Sequence, residues 1–189
     1  NVADPVRAKK GKRFFKMERG AYGAHDRFLG VTMPMQRVIA ASALLLSMHD
    51  LDQLLESPIH EHRMTALLVL IRQYKQADDR EQKRLARFYL RKRRAVNNWD
   101  LVDVSAPAIL GHHVQKTSHH VLDRFVRSPH LWDRRIAIVS TLALIRVQKY
   151  DDTLRLAKAL LADRHDLIHK AVGWMLREVG KRKRRALKT

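Results

Sequence analysis

Apolar residues return at helical spacing along almost the whole chain. Between His60 and Gln76, the residues Met64, Leu67, Leu68, Leu70 and Ile71 keep that spacing. Pro34 suits a first helical turn, and the run from there to Met48 is strongly apolar, so it predicts one helix. A short helical piece follows from Asp50 to Glu56 and stops at Pro58. Asp78 or Asp79 caps the next helix, which the pattern carries to about Arg94. A helix from Trp99 with Pro107 inside it comes next, then helices over 117–128, 131–148, 151–162 and 166–179. Residues 1–20 are basic and weakly periodic, with Phe14 and Phe15 able to anchor a helix, and the glycines of 20–30 break regularity. No stretch alternates as a half-buried strand does, so the class is all-α.

The helices recur. Arg63, Trp99, Arg135 and Lys170 each stand near the start of an apolar helix, at separations of 36, 36 and 35 residues. That period is typical of two-helix repeats stacked into a solenoid. It predicts one domain over 1–189 with a concave face lined by these equivalent positions. A plain helical bundle is the competing architecture.

Charge narrows the partners. The 189 residues carry 38 Lys and Arg against 19 Asp and Glu, a net +19, with 46% apolar content to fill a core. Such an excess points to a polyanion, with nucleic acid ahead of an anionic membrane. The basic end of the helix after Asp79, Arg91 to Arg94, exceeds what a helix dipole needs. The chain has no cysteine, so disulfides and thiolate metal sites are excluded. It also has no apolar run of membrane-spanning length. Eleven histidines raise the question of a metal. However, His60 and His62 diverge on a helix, and the pairs His112-His113 and His119-His120 match no ligand motif. No metal or cofactor is expected. There is no glycine-rich phosphate loop and no serine nucleophile elbow.

The most unusual run is Asn97-Asn98-Trp99-Asp100-Leu101-Val102-Asp103. Asn98 as a cap and Asp100 in the first turn suit a helix start. Asp103 is left over, because it falls on the apolar row with Trp99 at i and i+4, where a lone charge is costly. Trp132 reads as core. Trp174 is flanked on one helix face by Lys170 and Arg177, which suits a surface that meets phosphate and offers a flat ring. Of the adjacent Arg134 and Arg135, one must face inward and find an acid such as Asp133 or Asp100, or a phosphate.

Four stretches resemble the AlkD family of DNA alkylation-repair glycosylases, built from HEAT-like repeats. They are Phe28-Leu29-Gly30-Val31-Thr32-Met33-Pro34, Asn98-Trp99-Asp100-Leu101-Val102-Asp103, Trp132-Asp133-Arg134-Arg135-Ile136-Ala137 and His169 to Glu178. The resemblance runs from about Phe14 to Gly180. It implies Asp103 as the catalytic carboxylate, Trp99 as its aromatic neighbour, Arg135 on a backbone phosphate and Trp174 as a second aromatic wall. Lys170, Arg177 and Arg37 complete the expected DNA-contacting set. The family often has Gln just before the first-repeat Pro, where this chain has Thr32 and Met33.

The implied reaction is hydrolysis of the N-glycosidic bond of cationic N3- or N7-alkylated purines in duplex DNA, without a metal, a cofactor or a base-reading pocket. A monomer acting in the cytoplasm at the nucleoid is the corresponding expectation. The alternatives are a non-catalytic binder of DNA structure on the same scaffold and a protein-binding solenoid.

Overall fold

The computed structural model describes residues 2–16, 18, 20–24 and 26–183. Residues 184–189, the end of a basic run that begins at Lys181, lie outside the described residues. Helices account for the regular structure, and the described residues contain one isolated bridge, Arg27 to Ile59, and no strand. The chain divides into two compact units, Asn1–Leu101 and Val102–Thr189.

In the first unit the long helix is the core. Helices α1 (Pro5–Phe14), α2 (Met33–Ser42), α3 (Met48–Glu56), α4 (His60–Gln76) and α5 (Asp79–Lys92) follow in order, and α2, α3 and α5 all pack on α4. Met64, Leu67, Leu70 and Tyr74 of α4 are buried against Leu51, Leu55, Leu85 and Tyr89. A helix enclosed on several sides must be apolar over most of its circumference. The irregular segment before α2 is tied to α4 by Glu61, a buried carboxylate that accepts the backbone N–H groups of Leu29 and Gly30 at 2.8–3.1 Å. Gly30 has φ +82°, and a Cβ there would lie 2.1 Å from the Asp4 carbonyl oxygen, so only glycine fits.

The apolar run from Pro34 to Met48 is not one helix. It stops at Ser42 because Ser47 and Asp50 form a capping box that starts α3 afresh. Gln73 of α4 also donates to the carbonyls of Leu44 and Leu46, at 3.0 and 2.8 Å, and holds the connection as a turn.

Helix α6 (Trp99–Ser105) carries the chain from the first unit to the second. The expected helix through Pro107 breaks there. Pro has no N–H to give, and the backbone widens into a π-turn, Pro107–Gly111, in which the Gly111 N–H donates to the Ala106 carbonyl. A Cβ on Gly111 would lie 2.3 Å from the Ser140 carbonyl oxygen, so glycine lets this turn pack directly on the next long helix. After α7 (His112–Gln115) and α8 (His120–Val126), that helix is α9 (Leu131–Arg146), flanked by α10 (Asp151–Leu160) and α11 (Asp166–Arg182). Helix α9 is to the second unit what α4 is to the first. Its buried row includes Ile136, Val139, Leu144 and Ile145.

A repeated hydrogen-bond pattern precedes these central helices. Ser57 Oγ accepts the Ile59 N–H at 3.1 Å, and the Ser57 carbonyl accepts Arg63 Nη1 at 2.8 Å. Ser128 Oγ accepts the His130 N–H at 3.2 Å, and its carbonyl accepts Arg134 Nη1 at 3.0 Å. Asp163 repeats the first half, its carboxylate accepting the His165 N–H at 2.9 Å. The pattern matches Arg63 to Arg134, one residue earlier than the sequence register, which set Arg63 beside Arg135. Arg134 is therefore the structural arginine of its repeat, also bound to Asp163 at 2.6 Å, and Arg135 stands outside that pattern.

Candidate functional site

In the second unit, Asp103 of α6 meets Arg135 of α9. Nε donates to Oδ1 at 3.0 Å and Nη2 to Oδ2 at 2.8 Å, a two-pronged match of planar groups. Nη1 donates to the Leu167 carbonyl in the first turn of α11. The Arg135 side chain is only 6% exposed, while that of Asp103 is 20% exposed. The charge left over in the sequence is thus matched. The guanidinium sits beneath the carboxylate, with its Nε and both Nη nitrogens engaged. Its geometry offers support to Asp103 rather than the outward reach expected of a phosphate contact.

Helix α11 places Lys170, Trp174 and Arg177 on one face, at i, i+4 and i+7. Trp174 is half-buried, and Lys170 and Arg177 are exposed. Lys170 pairs with Asp166 at 3.1 Å on the surface, a contact worth little in water.

Trp99 opens α6 in the first unit. Its indole stacks on Phe15, with centroids 5.6 Å apart, and meets Phe14 edge-on at 5.4 Å. One face of the ring is therefore already covered. The ladder continues from Phe15 to Phe28 at 4.7 Å and from Phe28 to His60 at 4.5 Å. Arg37 lies exposed on α2 in the same unit.

A polar network that the sequence reading missed lies under this ladder. His60 Nδ1 bonds Asp26 at 3.1 Å and Nε2 bonds Asp100 at 2.8 Å. Arg63 Nη2 donates to the other Asp26 oxygen at 2.6 Å, and Asn98 Nδ2 donates to Asp26 at 3.3 Å. Burial by itself would lower the His60 pKa, but the hydrogen bonds and charges of Asp100 and Asp26 outweigh it and hold the ring at about 9. Burial would likewise raise Asp26, and the His60 hydrogen bond with the Arg63 charge brings it below the usual carboxylate value. His60 is thus an imidazolium with both nitrogens donating, which leaves no lone pair for a metal. Asn98 is drawn into this network, and its Oδ1 accepts the Trp99 N–H at 2.8 Å. The signal available in the sequence was the spacing of His60 and Arg63 on one helix face, but their acids lie far off in the chain.

The family model described as DNA alkylation repair enzyme matches residues 1–189. The chain belongs to that family. Among solved structures, this DNA alkylation repair family member is similar to the protein titled "Predicted DNA alkylation repair enzyme from Enterococcus faecalis". The TM-score is 0.74 and the identity 18%, over 98% of this chain and 87% of that one. At that identity the likeness shows a shared fold. No curated protein matches the chain. For a DNA alkylation repair family member the implied substrate is DNA, which agrees with the net charge of +19. No helix among the described residues is long and apolar enough to cross a membrane.

Proposed function

We propose that this protein is a monofunctional glycosylase that hydrolyses the N-glycosidic bond of N3- or N7-alkylated purines in duplex DNA, with Asp103 as the catalytic carboxylate. The observation that carries this reading is the Asp103–Arg135 clamp: a carboxylate held in one orientation by a two-pronged guanidinium, in a side chain that is not sealed from solvent.

An alkylated purine already bears positive charge and leaves as a neutral base, so no general acid is required. As the bond breaks, its electron pair goes to the purine and positive charge grows on the sugar. A fixed carboxylate stabilises that charge without having to reorganise. It also orients the water whose oxygen bonds to the sugar carbon and whose proton passes to solvent. Arg135 acts through Asp103 as a positioning residue. Trp99 and Trp174 offer aromatic surface to the sugar and the cationic base, and Lys170, Arg177 and Arg37 meet phosphates. Neither metal nor cofactor has a part in this scheme, and one copy of the chain suffices.

The test is release of 7-methylguanine from methylated duplex. Asp103→Asn, which keeps an acceptor for Arg135, should slow release by about 10²–10³-fold and leave binding of undamaged duplex nearly unchanged. Full activity in that variant would remove Asp103 from the reaction. A wild-type protein that binds duplex and releases no base would instead be a non-catalytic reader of DNA structure.

A further inference from the structure

Helix α5 carries a row of cations that the proposed reaction does not use. Its core side is Leu85, Ala86, Phe88 and Tyr89. At 3.6 residues per turn, the face away from that side carries Arg80, Lys83, Arg84, Arg87 and Arg91, with Leu90 at its edge. The five cations are all exposed.

Two observations separate this stripe from an ordinary solvated surface. First, the stripe is mostly unpaired, whereas several cations on other helices are neutralised. Arg155 of α10 is shared between Asp152 and Asp123, Lys181 and Arg182 of α11 share Glu178, and Lys92 of α5 itself turns to Asp52 and Glu56 of α3. On the stripe, Arg84 pairs with Glu81 at 2.7 Å. Arg80, Lys83, Arg87 and Arg91 have no ion pair among the described residues. Second, Lys83, Arg87 and Arg91 follow one another at i and i+4. Like charges at that spacing cost an isolated helix about 0.2–0.5 kcal/mol per pair. The helix carries that cost on its solvent side, where nothing in the fold requires it. Arg91 is also steadied, its guanidinium 5.9 Å from the centre of the Phe88 ring.

We propose that this stripe of α5 is a second nucleic-acid contact, gripping the sugar–phosphate backbone of a duplex away from the reacting nucleotide. From Arg80 to Arg91 the helix rises about 16 Å, the axial length of about five base pairs of duplex at roughly 3.4 Å each. Arginine and lysine side chains reach such a row without reading bases, so the contact is independent of sequence. The inference rests on DNA as the partner but not on glycosylase chemistry.

The experiment compares two triple variants of equal charge. One is Lys83→Gln with Arg87→Gln and Arg91→Gln. The other is Arg127→Gln with Lys149→Gln and Lys158→Gln, three exposed cations of the second unit. Binding of undamaged duplex is read by fluorescence anisotropy across a salt series. The α5 triple should make the slope of log K against log salt shallower by about 2–3, as for three lost phosphate contacts, and the control by less than about 1. Removing like-charge neighbours should leave the melting temperature unchanged or slightly raised, so a lost slope is not a lost fold. An unchanged slope, or equal losses in both triples, overturns the proposal. Binding to phosphatidylserine vesicles that depends on α5, with the duplex slope intact, overturns it in favour of a membrane. A wild type that needs α5 to bind duplex yet releases no base upholds it and sinks only the glycosylase reading.

Discussion

At the residue scale, Arg135 decides between two roles. A guanidinium that meets a phosphate would, when removed, weaken binding and lower the salt slope by about 1. A guanidinium that holds Asp103 would, when removed, lower kcat with little change in either. The 6% exposure of Arg135 and its bonds to Asp103 and Leu167 favour the second outcome. Arg135→Ala should therefore slow base release by at least about tenfold and leave the salt slope of duplex binding as it was. It should also destabilise the second unit, because a half-buried carboxylate loses its partner. The sequence already marked Asp103 as a charge without an obvious partner, and its spacing from Trp99 singled it out. It could not show which of the two adjacent arginines supplies that partner. The answer depends on how α9 is rotated against α6, and that is set by the packing of Ile136 and its neighbours around the whole helix.

At the element scale, helix α4 is held at its start by a charged network. His60 is raised from 6.5 to about 9 in the fold. A group with a raised folded pKa contributes fully below the unfolded value and loses its contribution as pH rises through the folded value. Stability should therefore fall between about pH 6.5 and 9, by on the order of 3 kcal/mol, a loss that His60→Gln should flatten in thermal melts across that range. Asp26 works in the other direction. Its pKa is lowered, so its contribution is present above about 3.8 and fades as pH drops below that value. Most helices were legible because their apolar period is strong, and the bounds of α4 agree with the sequence pattern at both ends. The departures have local causes. Ser47 and Asp50 restart a helix inside an apolar run, and Pro107 forces a π-turn where periodicity alone continues. The His60 network was not legible, because a histidine reads the same in sequence whether it faces water or two carboxylates.

For the molecule as a whole, the net charge of +19 sets how it meets DNA. Affinity for undamaged duplex should drop by about 10³–10⁵ between roughly 50 and 200 mM salt if six to ten phosphates are neutralised. A decline of less than about tenfold over that range would mean that most of the cations face solvent. The composition and the buried histidine also bear on the setting in which a protein of alkylation repair works. Reagents that methylate DNA are electrophiles, and they consume protein nucleophiles, thiolates first and neutral imidazoles next. This chain presents no thiol at all, and the ring on which its first unit depends keeps a proton on each nitrogen in a grip of two carboxylates. His60 should therefore be methylated more slowly than the exposed histidines of the chain, and the start of α4 spared with it.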